Sequence, residues 1–252
     1  MCEKFSNISE VQKRYHCSSS FAYKVFYKYQ EIKLKEKINY GWPSVIGIDE
    51  HFFSRRRGYV EYVTVLTDMN KKRLYEMVQG KDTKSLIEQL SHLPGRENVK
   101  LVAMDMSSTY KKFVKDFFPN AIIVADKFHV LRLLTPTIMK LQKEIHGHRQ
   151  ELLLKKLVLK SRMKMDYFLR SDVDKYLVQY PELNMVYRFK ERLYEFYRTK
   201  GVIRAVRGFY KLVNQLKSTG HKSLLKLAKT MERWKKEILL YFESHKKNIF
   251  RF

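Results

Sequence analysis

No run in this 252-residue sequence approaches the ~20 consecutive apolar residues that a membrane-spanning helix needs, so such a helix is excluded. The first residues, Met1-Cys2-Glu3-Lys4-Phe5, lack the apolar core of a signal peptide. Cysteine is almost missing. Cys2 and Cys17 make neither a disulfide framework nor a metal-binding pattern, and a reducing, cytosolic setting is expected. There is no low-complexity tract and no detectable repeat. Acidic residues are scarce, 26 against 51 basic, for a net charge of +25. That excess calls for a polyanionic partner, either nucleic acid or an anionic membrane surface. What is present in quantity is apolar and aromatic: 16 Phe, 17 Tyr and 44% hydrophobic residues rule out a disordered basic tail. The chain is long enough to bury a real core, as one large domain or two smaller ones.

The charge is uneven. Residues 1–126 carry 21 basic and 15 acidic side chains, whereas residues 127–252 carry 30 and 11. A boundary is expected near Asp126.

The periodicity predicts two short helices over residues 7–30. Asn7 or Ser9 can cap the first, His16-Cys17-Ser18 breaks it, and Ser18-Ser19-Ser20 can cap the second, Phe21 to about Gln30. Phe21, Val25 and Tyr29 would share one apolar face. The size and rhythm suit a helix-turn-helix, although any helical hairpin would look similar. In the DNA-binding case Ser19, Ser20, Tyr23, Lys24 and Lys28 would meet the groove. Residues 31–40 read as a charged, solvated linker.

Val45-Ile46-Gly47-Ile48 is a short apolar strand that ends in Asp49 and Glu50. Arg55, Arg56 and Arg57 make a basic turn, either a solvated hairpin tip or a phosphate contact. Strands are predicted at 59–67 and 72–78, which gives an antiparallel meander. Asp82-Thr83 then caps a helix to about Leu93, with Leu86, Leu90 and Leu93 on one face. Val99 to Asp105 is a second strand ending in an acid, followed by a helix from Ser107-Ser108 to Phe118. Ala121 to Asp126 is a third. From Lys127 onward the pattern is helical. Apolar spacing recurs at Leu152, Leu153 and Leu157 and at Leu224, Leu225, Leu227, Ala228 and Met231, with breaks expected at Pro181 and at Gly201 or Gly208. The order describes an α/β fold with a mixed sheet and a long all-helical C-terminal region.

Three strands thus end in Asp49, Asp105 and Asp126. On neighbouring parallel strands, ~5 Å apart, their carboxylates could share divalent ions. Hard oxygen donors suit Mg²⁺ or Mn²⁺, and two such ions can activate a hydroxyl and stabilise the leaving oxygen of a phosphodiester. The alternative is that Asp105 and Asp126, which each precede a helix, simply cap it. Asp49 precedes no helix. His129, three residues after Asp126, is a ligand or a structural residue, while Glu50 falls on the opposite face from Asp49.

Gly47-Ile48-Asp49-Glu50, Val102-Ala103-Met104-Asp105-Met106-Ser107, Tyr110 and Val124-Ala125-Asp126-Lys127-Phe128-His129-Val130 together resemble the bacterial insertion-sequence transposases of the ISL-three type. The likeness runs from about Trp42 to the C-terminus. It implies a ribonuclease-H-like core that cleaves DNA and transfers strands by two-metal phosphoryl transfer, with Asp49 and Asp105 as catalytic metal ligands, Mg²⁺ or Mn²⁺ as cofactor, and Asp126 and His129 as an additional site block. The expected division is 1–40 helix-turn-helix-like remnant and linker, 41–130 catalytic core, and 131–252 basic helical insertion. A zinc-ribbon segment that precedes the helices in the family is missing. The family's glutamate block, resembling Asn-Gly-x-x-Glu-Gly, is not found either. Lys247-Asn248-Ile249-Phe250-Arg251-Phe252 stands where it would begin, and Glu243 comes too early. The resemblance therefore implies a truncated, catalytically inactive copy. The alternative is a DNA-binding regulator or dominant-negative partner of a full-length transposase. Expected partners are DNA and further transposase subunits, with no membrane, in the cytoplasm at the nucleoid.

Overall fold

The computed structural model describes residues 7–37, 41–54, 60–147 and 153–246. Helix α1 (Ile8–Tyr15) starts behind Asn7, whose side chain accepts the Glu10 amide at 3.0 Å. It stops at His16, which occupies the left-handed conformation at φ 48°, a place more often taken by glycine. Ser18 Oγ accepts from Phe21 N at 3.2 Å and opens α2 (Ser19–Lys37). The second helix is therefore longer than predicted. Residues 31–37 contain no glycine or proline and continue it, which corrects the expected linker there. The predicted apolar face is also corrected. The hairpin buries Val11 and Ala22, while Phe21, Val25 and Tyr29 are all exposed.

The core is a five-stranded sheet ordered β3-β2-β1-β4-β5. Strands β1 (Val45–Ser54), β2 (Val60–Asp68) and β3 (Arg73–Gln79) form the antiparallel meander. β4 (Leu101–Met104) and β5 (Ile122–Ala125) add in parallel beside β1. Between them lie α3 (Thr83–Leu90), capped by Asp82 on the Ser85 amide at 2.9 Å, and α4 (Ser108–Phe117). β1 does not stop at Asp49. Its pairing with β4 ends at Ile48, but its pairing with β2 continues to Ser54, so Asp49 sits inside a strand and at the end of a parallel ladder.

The two faces of the sheet differ because side chains alternate. Ile46, Ile48, Leu66, Val102 and Met104 point to one face and are buried, as are Leu86 and Leu90 of α3 and Tyr110, Phe113, Val114 and Phe117 of α4. Tyr110 Oη lies 3.0 Å from Thr64 Oγ1, which ties α4 to β2. Trp42 packs among the rings of Tyr75, Phe117 and Phe118 and donates its indole N–H to Leu93 O at 3.3 Å. The other face carries Gly47, Thr67, Ala103 and Val124, in register, and leads to Asp49.

Beyond β5 the chain is helical: α5 (Lys127–Leu131), α6 (Thr135–His146), α7 (Leu153–Leu159), α8 (Tyr167–Val178), α9 (Pro181–Arg198), α10 (Val202–Ser218), α11 (Lys222–Arg233) and α12 (Lys235–Lys246). Pro181 opens α9 and Gly201 precedes α10 at φ 91°, as breaks should. Gly208 is no break; it lies within α10. Leu157, Leu224, Leu227, Ala228 and Met231 are buried as their spacing predicted, and Leu225 is half-buried. Leu152 lies outside the described residues. Lys190 of α9 is buried and donates to Val158 O at 2.6 Å, Lys160 O at 2.5 Å and Glu191 Oε1 at 2.8 Å. It thereby satisfies carbonyls at the end of α7 that the helix itself leaves open. α12 packs on β5. The nearly buried Glu237 of α12 meets Lys111 of α4 at 2.6 Å, and that ammonium also lies over the Trp234 ring. Among the described residues no helix is long and apolar enough to cross a membrane.

Candidate metal and phosphoryl-transfer site

Register alone assembles the site. Ile48 pairs with Met104, and Met104 with Ala125. The next residue on each strand is Asp49, Asp105 or Asp126, so the three carboxylates form one row across strands ~4.8 Å apart. The Asp126 amide donates to Met104 O at 2.6 Å and keeps the row in register past the end of β5.

Each aspartate has a different surrounding. Asp49 is well exposed and its Oδ1 accepts the Glu50 amide at 2.8 Å. Asp126 Oδ1 accepts from Phe128 N at 2.9 Å and so caps α5, as one of the two sequence alternatives had it. Asp105 is different. Capping by Asp105 is overturned, because Ser107 caps α4 instead, its Oγ accepting from Tyr110 N at 3.4 Å. Asp105 is half-buried, and its Oδ1 is out of contact with solvent with no hydrogen-bond partner. Burial pushes its carboxyl above the ordinary range, and the charges of Asp49 and Glu50 push the same way. His129 and the Ser107 amide oppose them.

His129 is held on the first turn of α5. Its Nε2 lies 3.5 Å from Asp49 Oδ1 and 3.6 Å from Asp126 Oδ2, bridging the outer two acids of the row. Glu50 faces away and pairs with Lys81 at 3.6 Å. Asp49 and Asp126, the ends of the row, line a cleft of about 250 Å³ together with Gly47, Ala103, Lys127 and Tyr241. The small residues keep its floor open: a Cβ on Gly47 would meet Met69 Sδ at 2.9 Å.

Sequence inspection missed two of these residues. Lys127 lies 5.8 Å over the Tyr241 ring, and burial, then Arg198, pulls its ammonium below the usual range. The Tyr241 hydroxyl is pushed up by burial and by the charge of Asp126. Lys127 adjoins a flagged acid, but Tyr241 lies more than a hundred residues away and carries no local signal.

The donor set fits a hard divalent cation in part. Asp49 and Asp105 are adjacent oxygen donors, and the unpartnered Asp105 Oδ1 is a buried acceptor that such an ion would satisfy. Among the described residues no group of three His, Cys, Asp or Glu side chains converges to hold an ion. The sequence-predicted DNA contacts Ser19, Ser20, Tyr23, Lys24 and Lys28 are all exposed on α2, apart from this row in the chain, while Arg55, Arg56 and Arg57 lie outside the described residues.

No individual curated protein matches the chain. A family model described as a transposase, that of the ISL3-type DDE enzymes, matches residues 46–250, from within β1 through the whole aspartate row and the helices that follow it. The chain therefore belongs to the ISL3-type DDE transposase family.

Proposed function

We propose that this chain is an insertion-sequence transposase with a ribonuclease-H-like core, whose DNA-cutting and strand-transfer face is the row at Asp49 and Asp105. The observation that carries this is the register of β1, β4 and β5, which sets three strand-end carboxylates in one row whose two ends, Asp49 and Asp126, line one cleft. Asp49 and Asp105 would hold Mg²⁺ or Mn²⁺. The chemistry such ions supply is activation of an attacking water or 3′-hydroxyl and stabilisation of the leaving oxygen. The chain's own part is positioning. His129 orients Asp49 and Asp126, Asp126 fixes the start of α5, and Lys127 adds positive charge on the side where a phosphate would approach. The proposed layout is residues 1–40 as a DNA-binding helical segment, 41–130 as the core and 131–252 as a basic helical region, with further transposase subunits as partners and the nucleoid as the place of action.

One observation favours a second reading of present activity. Among the described residues no group of three His, Cys, Asp or Glu side chains converges to hold an ion: Asp126 spends one oxygen capping α5, and Glu50 turns to Lys81. Two donors bind a divalent ion weakly. The chain then binds DNA while its cleavage is lost, and it acts as a regulator or as a dominant-negative partner of a full-length transposase. Incubating labelled element-end DNA with Mg²⁺ or Mn²⁺ tests this. Retained binding without cleavage is expected. Metal-dependent cleavage that disappears in Asp49→Ala would restore the fully active transposase. Cleavage unchanged in both Asp49→Ala and Asp105→Ala would remove the row from the chemistry altogether.

A further inference from the structure

The second half of the chain concentrates its charge in one place. Residues 200–236 hold 11 Lys or Arg and a single acid, Glu232. That acid is already occupied by Lys217 at 2.7 Å. On α11, Lys222, Lys226, Lys229 and Arg233 follow one another at i, i+4, i+7 and i+11, all exposed. The helical repeat puts them on one line opposite the buried Leu224, Leu227, Ala228 and Met231. On α10, Arg204, Arg207 and Lys211 are likewise exposed, opposite Ala205, Phe209, Leu212 and Leu216.

A solvated helix face does not need this arrangement. Like charges at i, i+4 destabilise a helix, and both Lys222–Lys226 and Lys229–Arg233 are such pairs. Opposite charges take that spacing at Lys84–Glu88 on α3 and Lys140–Glu144 on α6, whereas α11 carries two like pairs in one line with no acid between them on that face. A stripe that keeps its repulsion is stabilised when a polyanion covers it. An anionic bilayer is the poorer occupant, because α11 exposes no large apolar side chain to insert and α10 only Ile203 and Tyr210, the latter held by Lys235. Duplex DNA suits it better. The α11 stripe is about 16 Å long and would run beside about ten phosphate charges. Its end also joins the helix that reaches the cleft. Lys235 Nζ meets Tyr210 Oη at 3.0 Å and joins the start of α12 to α10. Tyr241, which lines the cleft, is only ~9 Å further along α12.

We propose that the basic stripes of α10 and α11, continued by Lys235 and Lys236, dock the phosphate backbone of duplex DNA beside the aspartate row. This deepens the transposase reading and rests on it for DNA as the substrate. The test is the salt dependence of binding to a fluorescently labelled duplex of mixed sequence, about three helical turns (roughly 30 base pairs) long. It is read without divalent metal, so it does not depend on whether the chain cleaves. The variant K222A/K226A/K229A/R233A should lower the slope of log K against log salt by about 3 to 4 and weaken binding at least about tenfold near 0.1 M salt. A control that removes the same charge elsewhere, K71A/K84A/K140A/K143A, should change both far less. Circular-dichroism melts establish that both variants are folded. Equal losses in the two variants, an unchanged slope in the stripe variant, or no duplex binding by the parent chain would overturn the proposal. Duplex binding and its salt slope are read without metal, whereas the proposed chemistry is read as metal-dependent cleavage, so a failure of one is seen separately from a failure of the other.

Discussion

Three aspartates stand in one row, yet each is held differently, and the differences set what each can do. Asp126 spends one oxygen on the Phe128 amide, and Asp49 spends one on the Glu50 amide. Asp105 keeps a buried oxygen with no partner. A carboxyl raised by burial binds its proton more tightly in the folded chain than in the unfolded one. Stability from this group is therefore greatest below the ordinary carboxylate range and falls as the pH rises through the raised folded value. Asp105→Asn should accordingly raise the melting temperature at neutral pH in EDTA, by an amount that solvent screening of this half-exposed carboxyl keeps small. The gain should shrink at acid pH, where Asp105 is protonated in both states. The same substitution should abolish any Mn²⁺-dependent rise in melting temperature. A melting temperature lowered at neutral pH would show that the Asp105 charge is already compensated. At this scale the sequence was a good guide to identity and a poor one to surroundings. Asp49, Asp105 and Asp126 were legible as acids that follow apolar runs. That Ser107 rather than Asp105 caps α4 depends on where the chain turns after β4, which composition does not state.

Elements were legible where pattern and punctuation agreed. Asn7, Asp82 and Ser107 cap helices where their side chains reach an otherwise open amide, and Leu86 and Leu90 are buried as their spacing requires, while Leu93, expected on the same helix, is buried beyond its end at Leu90. The errors fell where local pattern was silent. The charged run after Gln30 has no helix breaker and stays in α2, and Gly208 is absorbed into α10 between the buried Ala205 and Phe209. His16 holds a left-handed conformation that costs an L residue about 1–2 kcal/mol. His16→Gly should thus stabilise the α1–α2 hairpin by about 1 kcal/mol, seen as slower amide hydrogen exchange in α1. Lys190 is the opposite case. Burial pulls its ammonium below the usual lysine range, but Glu191 and two carbonyls hold it. Lys190→Met leaves those acceptors stranded, and urea unfolding should show a loss of about 3–5 kcal/mol. A near-neutral result would mean that water takes the place of the ammonium.

For the whole molecule, the dominant fact is charge. A net +25 chain with its excess in the helical half should bind duplex DNA with an affinity that falls steeply with salt, losing about 10³-fold or more between 50 and 200 mM if six or more phosphates are neutralised. A fluorescence titration at several salt concentrations checks this, and a flat dependence would argue against phosphate contacts as the source of affinity. The sequence by itself determined the strand and helix order, the acids at the strand ends and the basic second half, because alternation, capping and charge are local properties. Only the tertiary structure decided that Asp49, Asp105 and Asp126 fall in one row, that His129 bridges two of them, and that Tyr241 closes the same cleft from the far end of the chain. Those outcomes depend on β-sheet register and on how helices pack across it, and register is set by contacts between residues that the sequence leaves far apart.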